Sequence, residues 1–165
     1  MTRTLNLLDA DELRNEVLEL KRNLTKCKKV RKLTAEWVGG TRARVYSGDK
    51  QIFIGGEQDF GAMSVTLASF LACEVDVIAT HATLRGIELE RLTLEGTGDF
   101  NTARYMGVAN EPSPGFQKIE YTMRVKAKNA TTEQLRELAK LCETASPVGD
   151  TLARRVPTTM KILVE

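Results

Sequence analysis

Hydrophobic positions first recur at helical spacing just after residue 9. Leu13, Val17, Leu20 and Leu24 make one apolar stripe, with Glu16, Glu19, Lys21 and Arg22 off it. Asp9 and Glu12 have the spacing of a capping box, so an amphipathic helix is expected to start there. Residues 33–54 change period. LTAEWV, TRARVYS and QIFIGG are short runs of strand-forming residues, separated by Gly39-Gly40 and Gly48-Asp49. They predict three strands joined by tight turns. Arg42 and Arg44 alternate with Ala43 and Val45 and are expected on one face of the middle strand. A long apolar helix is predicted over 61–86, with Met63, Leu67, Phe70, Leu71, Val75, Ile78 and Ala82 at helical spacing. Apolar residues lie on more than one face, which predicts burial. A second, polar stripe runs Thr66, Ser69, Cys73, Asp76 and Thr80. Arg85 and Gly86 mark its end.

Residues 87–95 alternate as a strand. The glycine- and proline-containing stretch 96–115 predicts a long loop, which in a compact domain is often functional. Residues 116–128 alternate cleanly: Ile119, Tyr121, Met123, Val125 and Ala127 on one face, charged and hydroxyl residues on the other. That predicts an antiparallel strand with one wet face. Thr131 to Gln134 should cap a further helix carrying Leu135, Leu138, Cys142 and Ala145, ended by Ser146-Pro147. TTMKILV at 158–164 predicts a final strand.

The chain of 165 residues fits one domain with an appendage. Its 42% hydrophobic and 28% charged residues are those of an ordinary globular protein, and its net charge of +2 gives no reason to expect nucleic acid. The opening residues are too acidic for a signal or transit peptide, and no apolar run reads as long enough to cross a membrane, so the expected location is the cytoplasm. The basic run 25–32 around Cys27 reads as a solvated linker. Three cysteines without metal-type spacing predict thiols rather than a disulfide framework, and the single histidine, His81, gives no metal site. No cofactor motif is present.

LASFLAC followed by VIATHATLRGIELE resembles the cysteine helix of the OsmC-like family, which includes osmotically inducible protein C and the organic hydroperoxide resistance protein. The opening three strands and the alternating strand at 116–128 resemble that family too. The resemblance implies an α+β fold: N-terminal antiparallel strands, a central buried cysteine helix, and a second antiparallel sheet with a C-terminal helix. Two such chains would intertwine as a homodimer. Residues 1–32 would then be an N-terminal helix and basic linker, and residues 33–165 the OsmC-like domain.

In active members the helix cysteine attacks a peroxide, a second cysteine in a Cys-Pro-Val segment closes a disulfide, and a dithiol restores the enzyme. An arginine and a glutamate complete the site. On this chain the attacking cysteine matches Cys73, and the arginine matches Arg42 or Arg44. The second cysteine is replaced: the segment reads Ser146-Pro147-Val148, with Cys142 one turn earlier as the alternative. Met63 and Ser64 stand where the glutamate is expected, with Glu57 and Asp59 nearby in the preceding loop. Glu74 and Asp76 beside Cys73 disfavour a thiolate, so activation would rest on the arginine. The resemblance thus implies a thiol-dependent peroxidase, or, with glutamate and second cysteine both gone, a non-catalytic dimer binding an apolar small molecule at the interface.

Overall fold

The computed structural model describes residues 4–164. Its N-terminal segment forms a small hairpin, β1 (Thr4–Leu5) and β2 (Leu8–Asp9), turned by Asn6 and Leu7 at φ of 52° and 62°. Asn6 suits this left-handed backbone better than Leu7 does. Its side chain also bridges two distant elements. The Asn6 amide donates to Thr83 Oγ1 (3.0 Å) and the Ile87 carbonyl (2.9 Å), and its oxygen accepts from Leu89 N (2.9 Å). Helix α1 (Ala10–Arg22) follows. Asp9 caps it by accepting from the amides of Asp11 and Glu12, without the reciprocal arm of the expected capping box. α1 packs against the later cysteine helix. A 3-10 turn (Leu24–Cys27) and an exposed segment through residue 33 lead onward, with Cys27 in solvent.

The three expected strands form as an antiparallel meander: β3 (Thr34–Trp37), β4 (Ala43–Ser47) and β5 (Lys50–Ile54). Positive φ at Gly39, Gly40 and Gly48 makes the two turns. Beyond its own strands this sheet makes no extensive contact with any other described helix or strand. Trp37 remains 78% exposed.

Helix α2 (Ala62–Leu84) is the expected cysteine helix, and Gly86 at φ 72° turns the chain out of it. By length and composition α2 could cross a membrane, contrary to expectation. Buried Glu74 and exposed Asp76 at its middle mark a core helix of a folded domain instead. Phe70, Val77, Ile78 and Ala82 are buried, whereas Ala68, Ser69, Ala72, Val75 and Asp76 face outward. Burial in the single chain is therefore one-sided.

Behind α2 lies a long ribbon of β6 (Leu89–Phe100) and β7 (Phe116–Ala127). β6 runs through Gly96 and Gly98 and corrects the expected loop start at residue 96. A side chain at Gly96 would press Leu71 at 3.1 Å, and one at Gly98 would meet the Phe116 ring at 2.5 Å. These glycines admit neighbours to the strand rather than ending it. Ion pairs of Arg124 with Glu95 (2.6 Å), Lys126 with Glu90 (2.7 Å) and Lys128 with Glu88 line the wet face.

The expected C-terminal helix is three pieces. α3 (Thr132–Lys140) has the full capping box of Thr131 and Gln134, α4 (Cys142–Ala145) is one turn, and α5 (Pro147–Ala153) begins where a stop was expected. Ser146 caps α5 and Pro147 fills its first position, where a missing N–H costs nothing. Leu138 and Cys142 close the core around Val77, Ile78, Ala82 and Ile87. The final strand at 158–164 is absent. Those residues pair with no described strand, and Met160, Ile162, Leu163 and Val164 are exposed.

Candidate functional site

Cys73 sits half-buried near the middle of α2, pointing toward the start of α5. There the Ser146 hydroxyl lies 3.4 Å from Cys73 Sγ. Ser146 Oγ also accepts from the Gly149 amide at 3.0 Å, as the helix cap. The hydroxyl has one hydrogen, so accepting from Gly149 leaves it to donate to the sulfur. Ser146 is 3% exposed, and this bond is held in place by the turn that starts α5. The sequence showed a serine in place of a second cysteine. It did not show that the serine would bond the first.

Cys142 is buried on the other side of the same junction. Its thiol lies 4.0 Å from the Glu74 backbone carbonyl. Burial, then the neighbouring Glu74 carboxyl, push the thiol up to about 12. At neutral pH it is inert as a nucleophile, since the thiolate is the reacting form. All three cysteines are free.

Glu74 follows Cys73 on α2 and has no exposed surface. Neither of its carboxyl oxygens has a hydrogen-bond partner among the described residues. Its Oε1 lies against Gly149: a Cβ there would sit 3.3 Å from Glu74 Oε1 and 3.0 Å from Ser146 Oγ. The Tyr121 hydroxyl, from β7, is raised by burial first and then by Glu74, Cys142 and Glu143. A cavity of about 400 Å³ opens beside this junction, lined by Phe70, Phe116, Ile119, Tyr121, Gly149 and Leu152 among others.

The two arginines lie elsewhere. Arg42 Nε pairs with Asp59 Oδ2 at 2.7 Å, and its guanidinium stacks 4.1 Å from the Phe53 ring centre. Arg44 Nη2 pairs with Glu36 Oε2 at 2.6 Å, directly across the strands, and Glu36 also accepts from the Tyr46 hydroxyl. Those two bonds hold the Glu36 carboxyl below its ordinary value, Tyr46 first and Arg44 second. Within one chain neither guanidinium hydrogen-bonds Cys73. Among the described residues, the structure thus joins Cys73 to Ser146, seats Cys142 nearby against Glu74, and leaves both arginines on the N-terminal sheet. Asp59 emerges as the carboxylate partner of Arg42. A second cavity of about 670 Å³ lies between Thr41, Gly55 and Gly56, the first turn of α2 at Ala62–Ser64, and the β6–β7 loop at Phe100, Tyr105 and Pro114.

An antiparallel α+β domain with one thiol half-way along its central helix defines a class of small cysteine proteins. The model of that class described as OsmC-like protein matches residues 55–161, more than half of the chain, and the chain belongs to the OsmC-like family. Solved structures agree in fold. The OsmC-like protein of Mycoplasma pneumoniae has a TM-score of 0.66 at 18% identity, covering 76% of this chain and 89% of that one. An OsmC-like protein of unknown function from Vibrio cholerae has 0.58 at 10%, covering 75% and 94%. The organic hydroperoxide resistance protein OsmC of Legionella pneumophila has 0.53 at 17%, covering 76% and 91%. Comparison with curated proteins gave no match.

Proposed function

We propose that the chain is a thiol-dependent peroxidase that reduces organic or hydrogen peroxides through Cys73, in the cytoplasm and as a homodimer. The observation that carries this reading is the hydrogen bond from Ser146 to the Cys73 sulfur, at the position where the family places its second cysteine. A donated O–H stabilises a thiolate more than a thiol. The Cys73 thiolate attacks the peroxide, the O–O bond breaks, the sulfur is oxidised to sulfenic acid and an alcohol departs. Ser146 cannot form a disulfide and Cys142 is held as a thiol, so an external thiol reduces the sulfenic acid. The first equivalent forms a mixed disulfide and water; the second releases Cys73.

The cation that offsets Glu74 and Asp76 would be Arg42, already paired with Asp59 in the manner of the family's arginine and glutamate. A second copy supplies it. Support for the dimer comes from the outward face of α2 and from the sheet that makes no extensive contact with the other described elements of its own chain.

The test is an intact mass after excess cumene hydroperoxide. A gain of one or more oxygens, absent from Cys73→Ser, is expected. An unreacted Cys73 favours a second reading, a non-catalytic dimer that binds an apolar small molecule; the larger cavity beside Met63, Phe100 and Tyr105 supports that reading.

A further inference from the structure

The charge of this chain is unevenly placed. Between residues 21 and 32 stand seven lysines and arginines and no carboxylate. The whole chain carries +2, so its other residues carry a net −5. A cationic block on an otherwise acidic molecule turns one part of its surface toward anions. Every residue from 21 to 35 is exposed, and the 3-10 turn Leu24–Cys27 makes extensive contact with α1 alone. Of the seven cations, Lys26 is the one in an ion pair among the described residues, with Glu19 at 3.3 Å, and both of those side chains are more than half exposed. Glu12, Glu16 and Glu19 fall together on one side of α1. Leu18, Lys21 and Arg22, at spacings of three and four, fall on another and continue into the basic segment.

Apolar side chains are set among these charges. Leu24 and Val30 are three-quarters exposed or more, and Leu18 and Leu33 more than half. A hydrated linker gains nothing from large aliphatic side chains held in water. Nucleic acid would match the charge, but no aromatic residue precedes Trp37, so the segment offers bases no ring to stack on. Cations interleaved with aliphatic side chains match the boundary of a lipid leaflet, where phosphates lie over hydrocarbon. The segment leaves the C-terminal end of α1, and α1 packs against the cysteine helix, so whatever binds there holds the protein through an element joined to its core.

We propose that residues 21–33, with Leu18, are a docking surface for an anionic phospholipid membrane, engaged reversibly from the cytoplasm. The cations meet the headgroup phosphates, and Leu24, Val30 and Leu33 enter the boundary beneath them. A few cations and three aliphatic side chains give reversible adsorption rather than insertion across the bilayer. This surface goes beyond the peroxidase reading and does not depend on it.

The test is co-sedimentation of the full chain with vesicles. Phosphatidylcholine vesicles containing about one third phosphatidylglycerol should bind it at least about tenfold more tightly than phosphatidylcholine alone. Raising the salt from about 0.1 M to about 0.5 M should release it. Lys28→Ser, Lys29→Ser, Arg31→Ser and Lys32→Ser together should weaken binding at least about 100-fold. Leu24→Ser, Val30→Ser and Leu33→Ser together keep every charge and should weaken it about tenfold. Both sets change only exposed side chains, and unchanged denaturant unfolding checks that the fold survives. In the wild type, bound vesicles should slow the labelling of exposed Cys27 by a polar maleimide. Equal binding to the two vesicle types, or none, overturns the proposal. So does full binding by the apolar variant, unchanged labelling of Cys27 in the bound protein, or a single-stranded oligonucleotide that binds more tightly than the vesicles. Cys73→Ser should bind vesicles as the parent does, which separates this result from the peroxide test.

Discussion

The two sheets of this protein are held by different means. The β6–β7 ribbon lies under α2 and shares a core with Ile78, Ala82, Leu138 and Cys142. The β3–β5 sheet has backbone pairing and one cross-strand ion pair, Arg44 with Glu36, with Ile52 and Trp37 half or more exposed. The cysteine belongs to the first region and the candidate arginines to the second. One region folds around its thiol, while the other holds its arginines in ion pairs of its own. A small sheet without a covered apolar face is marginal in water, so this one is the weaker part of the single chain.

The contrast is open to measurement. Leu138 has no exposed surface, and Leu138→Ala is expected to cost about 2–5 kcal/mol in denaturant unfolding. Ile52 is 52% exposed in the single chain, but in the proposed dimer Ile52→Ala should cost more than about 0.5 kcal/mol, the limit for an open surface position; a smaller loss would leave the sheet uncovered and count against the dimer. Arg42→Ala should slow Cys73 oxidation by about 100-fold, as loss of one charge-stabilising group commonly does. Arg44→Ala should slow it less than tenfold, since Arg44 serves the Glu36 pair. The unfolding free energy should change by no more than about 1 kcal/mol in both, these being half-exposed ion pairs. A reversed order would assign the role to Arg44.

The pH response sharpens the comparison from the other side. Cys142 titrates higher in the folded chain than unfolded, where 9.0 applies, so the folded state holds its proton over a wider range. Its stabilising contribution is complete below about pH 9 and is lost as pH rises toward about 12. Cys142→Ala should therefore flatten the alkaline fall in stability, and iodoacetamide at pH 8 should label Cys27 while sparing Cys142. The smallest effect is at a cap: Thr131→Ala should cost about 1 kcal/mol, read as a shift in the urea midpoint.

Much of this architecture is legible in the residues, because the strands alternate and the cysteine helix has a periodic apolar face with a glycine exit. What the residues conceal is mostly double meaning. Gly96 and Gly98 look like turn residues, yet they make room for Leu71 and Phe116 on a continuing strand. Ser146-Pro147 looks like a helix end; the same pair is also a cap and first residue, and here it starts α5. Residues 158–164 alternate as a strand does, but pairing needs a neighbour, and no described strand of the chain lies beside them. In the site, Cys73 stood out and Ser146 was legible as a replacement. The isolation of Glu74, the pairing of Arg42 with Asp59 and the role of Gly149 depend on contacts between distant segments, and no local pattern encodes those.

The hairpin at the other end of α2 has a practical consequence. Asn6 fastens three groups at the exit of the cysteine helix: the Thr83 hydroxyl, the Ile87 carbonyl and the Leu89 amide. It lies far upstream of the family-matched segment at 55–161. A protein shortened by the hairpin alone would leave those three groups open to solvent and loosen the helix from its far end. Any change in Cys73 reactivity would then look like damage at the thiol, although every residue named around Cys73 had been left in place.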